Sequence, residues 1–366
     1  MRPFKLERYF AQYEFKAPYL LSASDCEALS LTELLEMADA ETAGLWERLS
    51  LGYTESSGHP MLREEIAGLY ESMSPEQVLV LAPEEGIFIA MHTLLEPGDR
   101  VIALFPAYQS LYEVARAIGC EVIPWKLQLG AGGWELDLDW LNRNLNGTTS
   151  LLVINFPHNP TGYLPSQAEL ERILELAAQH GVTVFSDEMY RLLEYDPARR
   201  LPAVCDVYER GLSLSGMSKS FALAGLRIGW LAVRLPGLIE RWQTFKDYTT
   251  ICSSAPSEIL ALIGLRARQR ILARNLAMIA DNLSHAGRFF ERHASLFHWL
   301  PPQAGSVAFP AWQGSGNVDN FCRRVLDQQG VMIVPGSLFD YPDGHFRVGL
   351  GRRTFPLALE RVQRYL

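Results

Sequence analysis

The sequence predicts an α/β protein, with a large domain built on a mostly parallel sheet sandwiched by helices and a smaller α+β domain. Three observations lead there. Apolar strand-length runs alternate with helical stretches from Val78 to about Val233, the pattern that right-handed strand–helix–strand crossovers produce. One of these runs, Ser150 to Ile154, is continuously apolar, as expected where helices cover both faces of a parallel sheet. From Trp299 onward the pattern changes to short separated strands, at Val307 to Phe309, Val331 to Val334 and His345 to Leu350.

The chain has 366 residues, enough for a large core and about two domains. The expected division is an arm and part of the small domain over 1–45, the large domain over 46–265, and the rest of the small domain over 266–366. Hydrophobic residues make up 48% and charged residues 20%, the balance of a soluble globular enzyme. A net charge of −9 argues against a general nucleic-acid or anionic-membrane partner. Cys26, Cys120, Cys205, Cys252 and Cys322 are scattered and odd in number, so neither a disulfide framework nor a metal site is expected. Met1 to Phe10 lacks an apolar signal core, and no apolar run reaches membrane length. Cytoplasmic residence is the expectation.

In chain order, residues 1–30 read as an irregular, aromatic and partly acidic arm. Leu31 to Leu51 reads as helical, followed by the polar loop Gly52 to Pro60. Met61 to Tyr70 is amphipathic, with Leu62, Ile66 and Leu69 on one face. Val78 to Leu81 is a buried strand, and a turn at Ala82 to Gly86 leads into a helix over Ile87 to Leu95. Pro97-Gly98-Asp99 is a turn, and Arg100 to Phe105 is the next strand. Glu121 to Trp125 is another, before a glycine-rich turn at Gly130 to Gly133. After Ser150 to Ile154, Gln167 to Gln179 is helical and Val182 to Phe185 a strand. Leu238 to Tyr248 and Ser257 to Phe290 are helical, the second broken near Ala267.

The chemistry centres on Ser215 to Trp230. Lys219 sits among small residues just after the apolar run Leu212 to Leu214, and Arg227 follows before an apolar run resumes at Ile228. A lysine in such a site can form a Schiff base with an aldehyde, because desolvation and nearby cations favour its neutral form. Arg227 offers a permanently charged fork suited to phosphate. Together they meet the needs of pyridoxal phosphate. Gly216, Ser218, Lys219, Gly225, Arg227 and Gly229 stand where the lysine signature of the fold-type I, class I/II pyridoxal-phosphate aminotransferases wants them, and the stretch resembles that signature. Asn159-Pro160-Thr161-Gly162 and Asp187-Glu188-Met189-Tyr190 resemble two further landmarks. The resemblance runs from about Gly52 to Leu350, and it implies a seven-stranded sheet.

The resemblance also implies roles. Lys219 would hold pyridoxal 5′-phosphate and, once freed, act as general base at the substrate Cα. Asp187 would pair with the ring nitrogen, and Asn159 and Tyr190 with the ring oxygen. Tyr108 would stack on the ring, with Tyr112 the weaker candidate. Arg227 would bind the phosphate, with Ser218 also at the cofactor. Tyr53 would reach the phosphate in a neighbouring subunit, so a homodimer is expected. Arg347, in Phe346-Arg347-Val348-Gly349, would clamp the substrate carboxylate, with Asn159 beside it. Arg352 and Arg353 read as surface charges, and His158 as a structural loop residue. The turn after Leu81 departs from the family pattern. There Ala82 replaces the usual glycine, Pro83 donates no amide, and Glu84 and Glu85 follow. Glu84 is counted at the cofactor, but two acids beside a phosphate repel it unless they face the substrate instead.

These residues predict an aminotransferase acting on an amino acid. The alternative is a lyase or cyclase of the same fold, in which a leaving group departs from Cβ or Cγ. If acids from the arm (Glu7, Glu14, Asp25, Glu27) and from the turn (Glu84, Glu85) converge, the pocket suits arginine or a hydroxylated arginine, whose guanidinium pairs with two carboxylates. A cofactor-sensing regulatory domain ranks last, because the segment ahead of Tyr53 is acidic and shows no helix-turn-helix pattern.

Overall fold

Alternate residues of the strand Arg100–Phe105 face opposite ways and are buried on both sides. Val101, Ala103 and Phe105 enter one apolar cluster, and Ile102 and Leu104 enter another. Leu151 and Val153 against Leu152 and Ile154 repeat this on the neighbouring strand, which only a sheet covered on both faces allows. In the computed structural model, which describes residues 1–130 and 132–366, these strands lie in a seven-stranded sheet. Its order is Val78–Leu81, Gly229–Val233, Gly211–Gly216, Thr183–Asp187, Thr149–Asn155, Arg100–Phe105 and Glu121–Lys126. Gly229–Val233 is antiparallel to both neighbours, and the other six strands run in one direction.

A separate apolar cluster gathers Ile279, Phe290, Phe297, Phe321, Phe346 and Phe355 under the helices Arg268–Arg292, Val318–Gln329 and Phe355–Tyr365. Its three-stranded sheet is ordered Val307–Ala308, Phe346–Gly349, Val334–Pro335. Tyr19–Leu20 pairs in parallel with Val331–Met332, so the start of the chain is stitched to its end. Among the described residues no helix is long and apolar enough to cross a membrane.

Four local expectations need correction. The arm is not irregular, because Lys5–Tyr13 forms an α-helix. Its N-cap, Phe4, makes no side-chain capping bond, and tertiary contacts hold it instead. The Arg2 backbone amide and Nε donate to Glu113 at 2.8 Å each, Tyr9 donates to the Ile333 carbonyl at 2.9 Å, and Lys5 pairs with Asp340. The helical stretch from Leu31 is two helices, Leu31–Leu35 and Ala40–Glu47, because Asp39 caps the second through the Thr42 amide. The helix after Leu81 begins at Pro83 rather than Ile87, since proline suits a first helical position; Glu84 and Glu85 therefore lie in its first turn. Arg352 is not a free surface charge. It donates to both oxygens of Asp25 at 2.9 and 3.0 Å. The glycine-rich turn joins the paired strands Gln128–Gly130 and Gly133–Glu135, and its Ala131 lies outside the described residues.

Candidate active site

The carboxyl ends of the parallel strands converge on one cavity of about 550 Å³, where open α/β sheets bind ligands. Asp187 ends the strand Thr183–Asp187, Lys219 follows Gly211–Gly216, and Tyr108 follows Arg100–Phe105. All three line the cavity, with Asn159, Tyr190, Ser218, Arg227, Arg347 and Glu84. Tyr53 lies away from it, 91% exposed on the surface. Tyr112 is also elsewhere: it packs on Phe105 and donates to Asp340 at 2.7 Å.

Loop geometry fixes several of these groups. Asn155 donates to the Asp187 carbonyl at 2.8 Å and accepts from the Asn159 amide at 2.8 Å. The asparagine loop is thereby tied to the strand carrying the acid. His158 is buried and bonded to Thr161 at 2.8 Å, and burial lowers it to about 3, which suits a neutral structural residue. Arg227 takes a left-handed conformation, φ 55°, rare for a side chain of that size and a mark of local strain.

Charge is arranged as follows. Burial lowers the Lys219 amine, Asp25 opposes that shift, and Arg347 adds to it. Burial raises the Asp187 carboxyl to about 7, against the pull of the Met189 amide. Burial also raises Glu14 and Glu84. Arg347 is fully buried, with Nη1 donating to Asn159 Oδ1 at 3.2 Å and Nη2 to the Ser22 carbonyl at 3.0 Å. Its Nε and the Tyr190 hydroxyl, both buried, have no partner among the described residues.

The acids divide. Glu7, Glu14, Asp25 and Glu84 line the cavity. Glu85 turns away to Thr249 and Thr250, and Glu27 pairs with Arg353. Glu7 accepts from the Tyr108 hydroxyl at 2.9 Å. Leu6, Glu7, Phe10 and Glu14 reach the cavity from the arm, a 3–4 residue spacing that puts one helical face over it. Ser24, unremarked in the sequence, accepts from Lys219 Nζ at 2.8 Å. No local motif marks it, because the two residues are 195 positions apart.

This constellation can be set beside known proteins. The family model for aminotransferase class I and II matches residues 20–354. The chain belongs to that family. Capreomycidine synthase of Streptomyces vinaceus is 28% identical over 348 residues, covering 94% of this chain and 88% of that protein. A crystal structure of a PLP-dependent aminotransferase from Streptococcus suis 89-1591 superposes with a TM-score of 0.93 at 29% identity, over 100% of this chain and 97% of the other. The PLP-dependent cyclase OrfR gives a TM-score of 0.91 at 27% identity, with the same coverage. The fold is therefore fold-type I, and the chain is an aminotransferase-family enzyme whose cofactor is pyridoxal 5′-phosphate.

The cavity of this aminotransferase-family chain suits that cofactor on its own chemistry. It offers a lysine amine pushed towards neutrality and a buried acid whose carboxyl is raised by burial. A buried tyrosine hydroxyl and a guanidinium nitrogen stand without partners, and the remaining arginine is exposed.

Proposed function

We propose that the enzyme transaminates an α-amino acid, with Lys219 carrying the cofactor as a Schiff base. The convergence of Lys219, Asp187, Asn159, Tyr190, Arg227 and Arg347 on one cavity is the observation that supports this reading. Arg227, with Ser218, holds the phosphate, and Tyr53 of a second copy completes that site across a homodimer interface. Leu51, Tyr53, Tyr248 and Ile251 are among the exposed large apolar residues of the chain. Asp187 holds the ring nitrogen, Asn159 and Tyr190 the ring oxygen, and Tyr108 covers the ring face. Arg347 clamps the substrate carboxylate, and Asn159 keeps the guanidinium in plane with it. When bound, the cofactor supplies an aldehyde for the substrate amine and a protonated ring that draws off the electron pair released at Cα. Lys219 Nζ, once free, takes the Cα proton. The arm helix covers the cavity and excludes water.

A second reading has its own support. Besides Asp187, four carboxylates border the cavity, Glu84 from the first turn of its helix and Glu7, Glu14 and Asp25 from the arm. They complement a guanidinium side chain, and a capreomycidine synthase and a cyclase are among the proteins this chain resembles. The reaction would then be loss of the hydroxyl on Cβ or Cγ of a hydroxylated arginine, followed by ring closure by the guanidine, with a raised carboxyl such as Glu84 supplying the proton with which the hydroxyl leaves as water. One experiment separates the two. The enzyme is incubated with a panel of amino acids, including arginine and its hydroxylated forms, with and without a keto acid. Product that requires the keto acid means transamination. Cyclic or dehydrated product without it means the lyase reading. Turnover of aspartate or aromatic donors alone would overturn the acid-pocket argument.

A further inference from the structure

Lys219 has a long flexible stem, and its amine must be delivered to one place. Its side chain has four rotatable bonds, so an unanchored amine would sample several positions in a cavity of about 550 Å³. The one hydrogen bond recorded for Nζ among the described residues is to Ser24 Oγ, at 2.8 Å.

The backbone that carries Ser24 is held at the residue itself and at both of its neighbours. Its carbonyl accepts from the Ser306 hydroxyl at 2.6 Å. The residue before it, Ala23, lies against Gly349 so closely that a Cβ there would come within 1.7 Å of the Ala23 carbonyl oxygen. The residue after it, Asp25, is gripped by Arg352 and packs on Gly351, where a Cβ would meet the Asp25 carbonyl oxygen at 2.5 Å. The Gly349 amide donates to Leu21 at 2.7 Å, and the Glu27 amide to Gly351 at 2.6 Å. Two glycines thus let the Leu21–Glu27 segment sit directly on the strand Phe346–Gly349 that carries Arg347. The Ser24 hydroxyl is left with a single torsion.

We propose that Ser24 is a positioning residue that holds the amine of Lys219 in place, both for condensation with the cofactor and for proton transfer at the substrate Cα. The inference rests on Lys219 being the cofactor lysine. In the proton transfer the Cα–H bond breaks, its electron pair stays with the substrate carbon and passes towards the cofactor ring, and the proton becomes the third N–H of Nζ. A rigid acceptor removes the search among rotamers, and misplacement of a reacting group by 1 Å costs about 100-fold in rate.

The test uses the full-length protein with Ser24→Ala, Ser24→Thr, Ser24→Cys and Lys219→Ala. Cofactor-free protein is mixed with pyridoxal 5′-phosphate and the growth of visible absorption is timed. Exchange of the Cα hydrogen of l-arginine and of l-aspartate in D2O is then followed. Ser24→Ala is expected to slow both condensation and exchange by about 10- to 100-fold, with Ser24→Thr close to wild type because it keeps the oxygen. If Ser24→Ala fails to fold, as judged by circular dichroism, slow condensation in Ser24→Cys beside wild-type rates in Ser24→Thr supports the proposal. Wild-type condensation and exchange in Ser24→Ala, or in Ser24→Cys if that comparison is needed, overturns it. A visible band that survives in Lys219→Ala instead refutes the lysine assignment, and Ser24 falls with it.

Discussion

Asp187→Asn in the cofactor-free protein tests the electrostatics of the site. The carboxyl is buried, accepts the Met189 amide at 3.1 Å, and is raised from the usual 3.8 to about 7. Asparagine keeps the shape and that bond but cannot ionise. The folded chain holds the Asp187 proton more tightly than the unfolded chain does, so stability is greatest below about pH 4. It falls as the pH rises towards 7 and levels off above that. Between pH 5 and pH 8 this one group lowers the unfolding free energy by about 2–3 kcal/mol, at about 1.4 kcal/mol per pH unit. Glu258, which burial also raises to about 7, adds a slope of the same sign, but it is present in both proteins and cancels in the comparison. The assay is urea denaturation of wild type and Asp187→Asn at pH 5, 6, 7 and 8. Wild type should lose about 2–3 kcal/mol more than the variant across that range. Bound cofactor should abolish the difference, by setting a protonated ring nitrogen against the carboxylate. Equal slopes in the two cofactor-free proteins would refute the reasoning.

Arg347→Ala should lower kcat/KM for amino acids by about 10- to 150-fold, the worth of a charged hydrogen bond of about 1.5–3 kcal/mol. The matching amine without a carboxylate should react equally with both enzymes, and wild-type kcat/KM for the amino acid would remove Arg347 from the site. Glu113→Gln discharges the clamp on Arg2, so trypsin should cut faster at Lys5 and Arg8; an unchanged cleavage rate would mean that the arm does not depend on that pair. Light scattering should give a dimer at assay concentration, and Tyr53→Phe should weaken cofactor retention without changing the mass. A fully active monomer would contradict the role of Tyr53.

The amino-acid sequence by itself determined the sheet and its cargo. Strand–helix alternation is written in local periodicity, so the break at Ala267 and the helix Gln167–Gln179 appear at the expected positions. The cavity residues drawn from short motifs were legible for the same reason. Asp187 ends a strand and Lys219 and Asn159 sit a few residues past one, and parallel strands deliver such positions to one edge. What only the tertiary structure decided depends on contacts between distant parts of the chain. The Lys5–Tyr13 helix lacks a side-chain cap and is held by Glu113, Ile333 and Asp340. Arg352 reads as surface charge until the chain folds Asp25 against it. Glu84 and Glu85 are neighbours in sequence, yet the first turn of one helix sends Glu84 into the cavity and Glu85 to Thr249. Ser24 meets Lys219 only because Gly349 and Gly351 leave room for its backbone, a close approach that neither segment encodes alone.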